Sequence, residues 1–353
     1  MIAFYVGIIL LCLFGLKIQR KGFFGDFLSI DQCNAIKGVF ILTVFIRHSL
    51  QYILRSGYLF TTFPDKLFLQ IDRELGQLIV VMFLFYSGFG VMESICKKKM
   101  DYVHSMPKRR ILTTLLNFDI AIFFFFILNL ILEREMSVRE ICFSLIGWKS
   151  IGNSNWYIFD IILCYLLVWL SFTITSRQGK LDIARANFFT LVLFLTSLIF
   201  LALTKPGYWC NTILCFAIGM LFSQFKERIL FSIQKHYWPI FALSIALFFT
   251  FYILPDGIFS ILYNLESISF ALCVVLFTMK IKIQNKALQW LGKHLFPLYI
   301  YQRLSMIALY EIDNGAFVKS NPVCFTTICI TITVIIAIFF HYWQISIGSK
   351  KTH

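Results

Sequence analysis

Residues 36–54 read IKGVFILTVFIRHSLQYIL. The run is apolar along most of its length, and about twenty such residues in a helix cross the hydrocarbon core of a bilayer. Similar runs recur at 2–16, 76–95, 111–132, 157–175, 187–204, 209–224, 237–254, 260–279, 294–311 and 323–347. Little chain is left between them, so no separate soluble domain is expected. Composition agrees: 59% of the 353 residues are hydrophobic and 14% charged. A soluble domain is about 45–50% apolar and about 25% charged. The expected fold class is an all-α integral membrane protein, a polytopic bundle of about eleven transmembrane helices.

The formal net charge of +14 would suit a nucleic-acid binder, but its distribution along the chain points elsewhere. Taken loop by loop, Lys and Arg fall into two alternating sets. One holds Lys17, Arg20 and Lys21; Lys97, Lys98, Lys99, Lys108, Arg109 and Arg110; Arg177, Lys180 and Arg185; Lys226, Arg228 and Lys235; Lys280, Lys282, Lys286 and Lys293; and Lys350 and Lys351. The other holds only Arg55, Lys66, Arg73, Arg134, Arg139, Lys149, Lys205 and Lys319. Cytoplasmic loops collect basic residues. The expectation is a multi-pass cell-membrane protein with an outer N-terminus and a cytoplasmic C-terminus. Its partner is the lipid bilayer, including anionic headgroups, and no nucleic acid. Met1 to Leu16 has neither a preceding basic residue nor a small-residue cleavage site, so it reads as a retained helix. The ten cysteines lie mostly within apolar runs, and no CxxC occurs. No metal site and no disulfide framework are expected. P-loop, GxSxG, HxxxD and HExxH patterns are also absent, which removes the common soluble catalytic signatures.

Ionisable groups inside a span are costly and usually face the bundle interior. The opening run carries Lys37, Arg47 and His48, followed by Gln51, Tyr52 and Arg55. Lys37 and His48 are separated by about 1100° of helix rotation, so both point to nearly the same side, roughly 16 Å apart along the axis. Gln51, Tyr52 and Arg55 continue that face. Histidine is the natural proton carrier near neutral pH, so His48 can deprotonate a hydroxyl or briefly carry an acyl group. The plainer alternative is a helix-packing histidine with a hydrogen-bonded partner. Asp119, Asp160 and Arg303 are further intramembrane candidates, and an Asp–Arg pair joining two helices is their structural alternative. Asp160 follows Asn153-Ser154-Asn155-Trp156-Tyr157, where Asn, Trp and Tyr suit a sugar-binding lip or serve as interfacial anchors. Lys108, Arg109 and Arg110 reflect topology or grip an anionic donor such as the pyrophosphate of coenzyme A.

In order and spacing, these segments resemble the membrane acyltransferase-3 family, the O-acetyltransferases of bacterial glycans. Lys37 and His48, with Gly38 between them, are similar to the family's Arg-x10-His pattern, with Lys in the Arg place as in some fucose-acetylase-like members. Phe83-Leu84-Phe85-Tyr86-Ser87-Gly88-Phe89 resembles its Phe-rich Ser-Gly stretch, and Arg109-Arg110-Ile111-Leu112 its Arg-rich start of the next helix. Asn155-Trp156-Tyr157-Ile158, Phe216-Ala217-Ile218-Gly219-Met220 and Leu291-Gly292-Lys293 match later motifs in turn. Leu298-Tyr299-Ile300-Tyr301-Gln302 follows, with Gln302 where many members have His.

The resemblance implies a ten-helix acyltransferase domain at 30–347, an added N-terminal helix with its basic loop at 1–29, and a short cytoplasmic tail at 348–353. It implies acetyl-CoA as co-substrate, no bound cofactor, and a carbohydrate hydroxyl as acceptor. His48 and Lys37 are then the catalytic candidates. Arg109, Arg110 and Lys108 would bind the donor, and Asn155, Trp156, Asp160 and Arg303 the acceptor. A transporter or flippase for a lipid-linked glycan, with the polar stripe lining its pathway, is the alternative from another class. A glycan polymerase usually has a large outer loop between late spans, and here those loops are short.

Overall fold

A computed structural model describes residues 1–176, 181–254 and 260–349, with side chains up to residue 342. Arg177, Lys180, Lys350 and Lys351, and with them most of the expected tail, lie outside the described residues. The described chain is almost entirely helical. In order, the helices are α1 (Ala3–Leu13), α2 (Ile30–Arg55), α3 (Phe63–Leu75), α4 (Leu78–Met106), α5 (Thr113–Ile131), α6 (Val138–Leu145), α7 (Trp156–Thr175) and α8 (Ile183–Thr204). They continue as α9 (Leu214–Gln224), α10 (Lys226–Lys235), α11 (Tyr237–Ile253), α12 (Ile261–Lys280), α13 (Lys286–Lys293), α14 (Leu295–Glu311), α15 (Ala316–Ser320) and α16 (Pro322–Ser349).

Six helical segments among the described residues are long and apolar enough to cross a membrane, or seven if α10 and α11, bent by 104°, count as one. These make the chain a multi-pass membrane protein. One segment runs from Phe63 to Ile131, 69 residues, which as a single rod would be about 100 Å long, three times a hydrocarbon core of about 30 Å. It is not a single rod. The backbone leaves helical geometry at Lys99 (φ 48°, ψ −133°), and Pro107–Leu112 is a π-helix. The expected runs 76–95 and 111–132 thus fall into α4 and α5. The runs at 2–16, 209–224 and 294–311 are helical over shorter lengths, 11 residues in α1, 11 in α9 and 17 in α14. Bulky apolar side chains such as Leu10, Phe123, Phe188, Leu203, Ile253 and Phe339 are exposed. An exposed apolar perimeter of this kind suits lipid rather than water.

Helix α2 begins at a capped turn. Ser29 Oγ accepts from the Gln32 amide, Asp31 lies in the first turn and Arg55 in the last, all of which complement the helix dipole. Two close crossings then set the frame. A Cβ on Gly38 would lie 2.0 Å from the Leu288 carbonyl oxygen, and one on Gly292 1.9 Å from that of Asn34, so α2 and α13 pack backbone to backbone. The same holds for α4 and α9, where a Cβ on Gly88 would lie 1.9 Å from the Phe216 carbonyl oxygen and one on Gly219 2.1 Å from that of Phe85. Small residues permit such approaches in a membrane, where close packing rather than hydrophobicity drives helix association.

The first 29 residues are fastened to this frame. Leu16–Ile18 pairs antiparallel with Ile281–Ile283. Asn285 Nδ2 donates to the Leu11 carbonyl at 2.9 Å, Lys280 Nζ donates to that of Gly22 at 2.8 Å, and Lys282 forms an ion pair with Asp26.

Gly292→Ala is expected to lower the detergent melting temperature, because overpacking at such a crossing costs about 1–3 kcal/mol. A Cβ on Gly90 would meet nothing within 4 Å, so Gly90→Ala should leave the melting temperature unchanged or raise it. Equal melting of the two variants would contradict the crossing.

Candidate active site

Helices α2, α7 and α14, with the loops before α4, α7 and α9, enclose a cavity of about 420 Å³. Its wall includes Arg47, His48, Gln51, Gln77, Ser154, Asn155, Trp156, Tyr208, Tyr299 and Arg303. Four residues expected from sequence therefore meet here: His48, Asn155, Trp156 and Arg303. A second cavity of about 310 Å³ is lined by Ser87, Arg109, Arg110, Tyr157, Tyr165 and Tyr299, among others. Tyr299 belongs to both walls. Its ring lies 6.2 Å from the His48 ring and 5.2 Å from that of Tyr157. Tyr299 thus lies where the histidine cavity and the arginine cavity come together.

His48 is buried, 8% exposed, and its Nδ1 has no hydrogen-bond partner. Gln302 faces the imidazole, and its Oε1 is likewise buried and unpartnered, while its Nε2 donates to the Tyr299 carbonyl at 2.9 Å. Gln302 is thus the side chain that a hydrogen-bonded His48 would take as its partner, for a packing histidine and for a base alike.

The charged neighbours divide into paired and unpaired. Arg47 donates to the Asp72 carboxylate at 3.0 Å and to its carbonyl at 2.8 Å, which ties α2 to α3. Arg55 and Arg134 share Glu311, and Arg55 also sits over the Tyr310 ring at 4.6 Å. Arg303 donates to Gln51 and forms no ion pair among the described residues. Asp160 is fully buried with both carboxylate oxygens unpartnered, so the Asp–Arg pair offered as its structural alternative does not form. It lines neither cavity.

Lys37 also lines neither cavity. Its Nζ donates to Asn34 Oδ1 at 3.4 Å, and its charge lies near Arg110. Lys37 therefore lies on the Arg110 side, with three turns of α2 between it and His48. Arg110 is held by the Tyr102 hydroxyl at 3.1 Å, with the Tyr165 ring 5.9 Å away. Lys108 is exposed on the π-helix outside the cavity. Asn155 Nδ2 donates to the Gly147 carbonyl at 2.7 Å, which fixes the loop that presents Trp156. The Trp156 ring packs edge-on against Tyr208 at 6.2 Å. Tyr208, Gln77 and Asp72 carried no signal in the sequence, since each reaches the site through long-range packing. Tyr299 stood within a recognised motif but without a role.

A membrane bundle with a buried histidine in the wall of one cavity and two arginines in the wall of the next is the class of protein this geometry defines. The Acyl_transf_3 family model, described as an acyltransferase domain, matches residues 30–342. The chain belongs to that family and is a membrane acyltransferase. No curated protein and no solved structure matches it.

Asp72→Ala removes a charge-assisted hydrogen bond worth about 1.5–3 kcal/mol. A fall of several degrees in melting temperature is expected, and an unchanged value would show that the Arg47 pair does not hold α3 on α2.

Proposed function

We propose that this acyltransferase moves an acetyl group from acetyl-CoA to a hydroxyl of a cell-surface or lipid-linked carbohydrate. The observation that carries the reading is the position of Tyr299, shared by a cavity with His48 and a cavity with Arg109 and Arg110. A donor gripped at one end and an acceptor at the other would meet beside His48.

In this reading Arg109 and Arg110 bind the coenzyme A phosphates by charge-assisted, bidentate hydrogen bonds. Lys37 adds positive charge behind them, and Lys108 extends it at the rim. The thioester arm passes Tyr299 into the histidine cavity. There His48 Nε2 takes the proton of the acceptor hydroxyl as its oxygen attacks the thioester carbonyl. The tetrahedral intermediate collapses, the C–S bond breaks, and the imidazolium returns the proton to the departing thiolate. Products are the acetyl ester and free coenzyme A. Gln302 Oε1, accepting from His48 Nδ1–H, would fix the tautomer that leaves Nε2 free as base. Trp156 and Tyr208 offer aromatic faces to a sugar ring, and Asn155 holds Trp156 in place.

The topology that suits this chemistry has eleven crossings, α1 preceding a ten-helix acyltransferase domain at 30–347. The basic face with Arg109 and Arg110 is cytoplasmic, where the donor is supplied, and the N-terminus is outside. The alternation of basic loops supports that orientation.

Purified protein in detergent, given acetyl-CoA and a mixture of bacterial glycans, should release free coenzyme A and form acetyl esters. A transporter or flippase would release none and would instead show substrate-dependent counterflow in vesicles. His48→Ala, present at a normal level, should lose about 100-fold or more in kcat, the contribution of a positioned general base. Full activity in that variant would remove His48 from the mechanism. Arg109→Gln with Arg110→Gln should raise KM for acetyl-CoA by roughly tenfold or more, as expected from losing charged hydrogen bonds of about 1.5–3 kcal/mol. An unchanged KM would place the donor elsewhere.

A further inference from the structure

The histidine cavity is unbalanced in charge. Two arginines, Arg47 and Arg303, line it, and no aspartate or glutamate does. Arg47 is already neutralised by Asp72 at 3.0 Å. Arg303 is not. Its terminal nitrogen donates to Gln51, a neutral partner, and its Nε is buried with no hydrogen-bond partner. The other groups near it, the Tyr52 and Tyr299 hydroxyls and His48, carry no compensating negative charge. Farther along the same face, Arg55 and Arg134 share the single carboxylate of Glu311. A half-buried guanidinium held by an amide and a tyrosine hydroxyl has lost hydration without gaining a counter-charge. Within a recessed wall, its field favours whatever anion enters.

We propose that the acceptor is itself anionic, with a carboxylate or phosphate that seats on Arg303 while the hydroxyl to be acetylated meets His48. This rests on reading the histidine cavity as the acceptor site. Arg303 sits one helical turn from Tyr299 and immediately after Gln302, so the anion and the reacting hydroxyl belong to the same or adjacent sugar units. The planar fork of Arg303 matches two oxygens of either anion. Trp156 and Tyr208 flank the ring between them. The acceptor class is then a uronic-acid glycan or a glycosyl phosphate rather than a neutral sugar.

The test is calorimetric binding of three ligands to the full-length protein in detergent: methyl glucoside, methyl glucuronide and glucose 1-phosphate. At least one anionic ligand should bind tenfold or more tighter than the glucoside. The two anionic arms tell the sources apart, since preference for the glucuronide marks a carboxylate and preference for the phosphate ester marks a phosphate. In Arg303→Gln the preference should fall to within twofold, and Arg303→Lys should keep part of it. Arg73→Gln, at an exposed arginine paired with Glu74 and outside this cavity, should leave it intact. Equal binding of all three ligands, binding of none, or an Arg303→Gln variant that keeps the preference would overturn the proposal. Free coenzyme A is measured in parallel. Acetylation of the glucoside as fast as the glucuronide refutes the anionic acceptor and leaves acetyl transfer standing. Anion-selective binding without release of coenzyme A does the reverse.

Discussion

The contact of α2 with α13 sets the geometry of everything above it. Where Gly38 and Gly292 face each other across carbonyl oxygens, a methyl group would overlap backbone atoms at 1.9–2.0 Å. Backbones that close leave no latitude in helix rotation or depth. The direction in which His48 points, three turns along α2, is therefore fixed by a crossing far from it. Helix α13 leads directly into α14, which carries Tyr299, Gln302 and Arg303. The short α13 thus couples the two helices whose side chains meet at the histidine cavity. The crossing of α4 on α9 does the same for the wall formed by Ser87.

Charge is distributed around that frame in a consistent way. Pairs such as Arg47 with Asp72, Lys226 with Glu93, and Arg55 and Arg134 with Glu311 join neighbouring helices. At or beside the histidine cavity, His48 Nδ1, Gln302 Oε1, the Tyr299 hydroxyl, Ser154 Oγ and Arg303 Nε are buried without partners, and other such atoms, among them those of Asp160, Tyr86 and Asn187, lie elsewhere in the bundle. At the wall of a cavity, such atoms are where a substrate can supply the missing bonds.

Much of this was legible in the sequence, though unevenly. Apolar runs located α2, α4, α5, α7, α8, α12 and α16, because a bilayer imposes a length and an apolar composition that leave a direct trace. They did not reveal the bend between α10 and α11 or the short 3-10 turn at Gly207–Trp209 before α9. Apolar composition fixes how deep a segment sits, not whether its backbone stays one helix. His48, Asn155, Trp156 and Arg303 were singled out because polar groups stand out against apolar neighbours, and the fold does bring them together. Lys37 shares a helix face with His48 yet lies near Arg110 and lines neither cavity, since a common face says nothing about distance along the axis. Tyr299 was missed as the residue common to both cavities because a tyrosine among Tyr, Phe and Ile carries no contrast. Gly38, Gly88, Gly219 and Gly292 were visible as motif letters, but that they form two mutual crossings depends on tertiary packing.

In the proposed mechanism acetyl-CoA reaches His48 past Tyr299 from the arginine side. A structure of the protein with bound coenzyme A or a non-hydrolysable acetyl thioether analogue tests this most directly. The diphosphate should lie on Arg109 and Arg110, and the acyl carbon should lie within reach of His48 Nε2, with Tyr299 displaced or lining the arm. Density for the nucleotide in the histidine cavity, or for the acyl carbon outside both cavities, would contradict it.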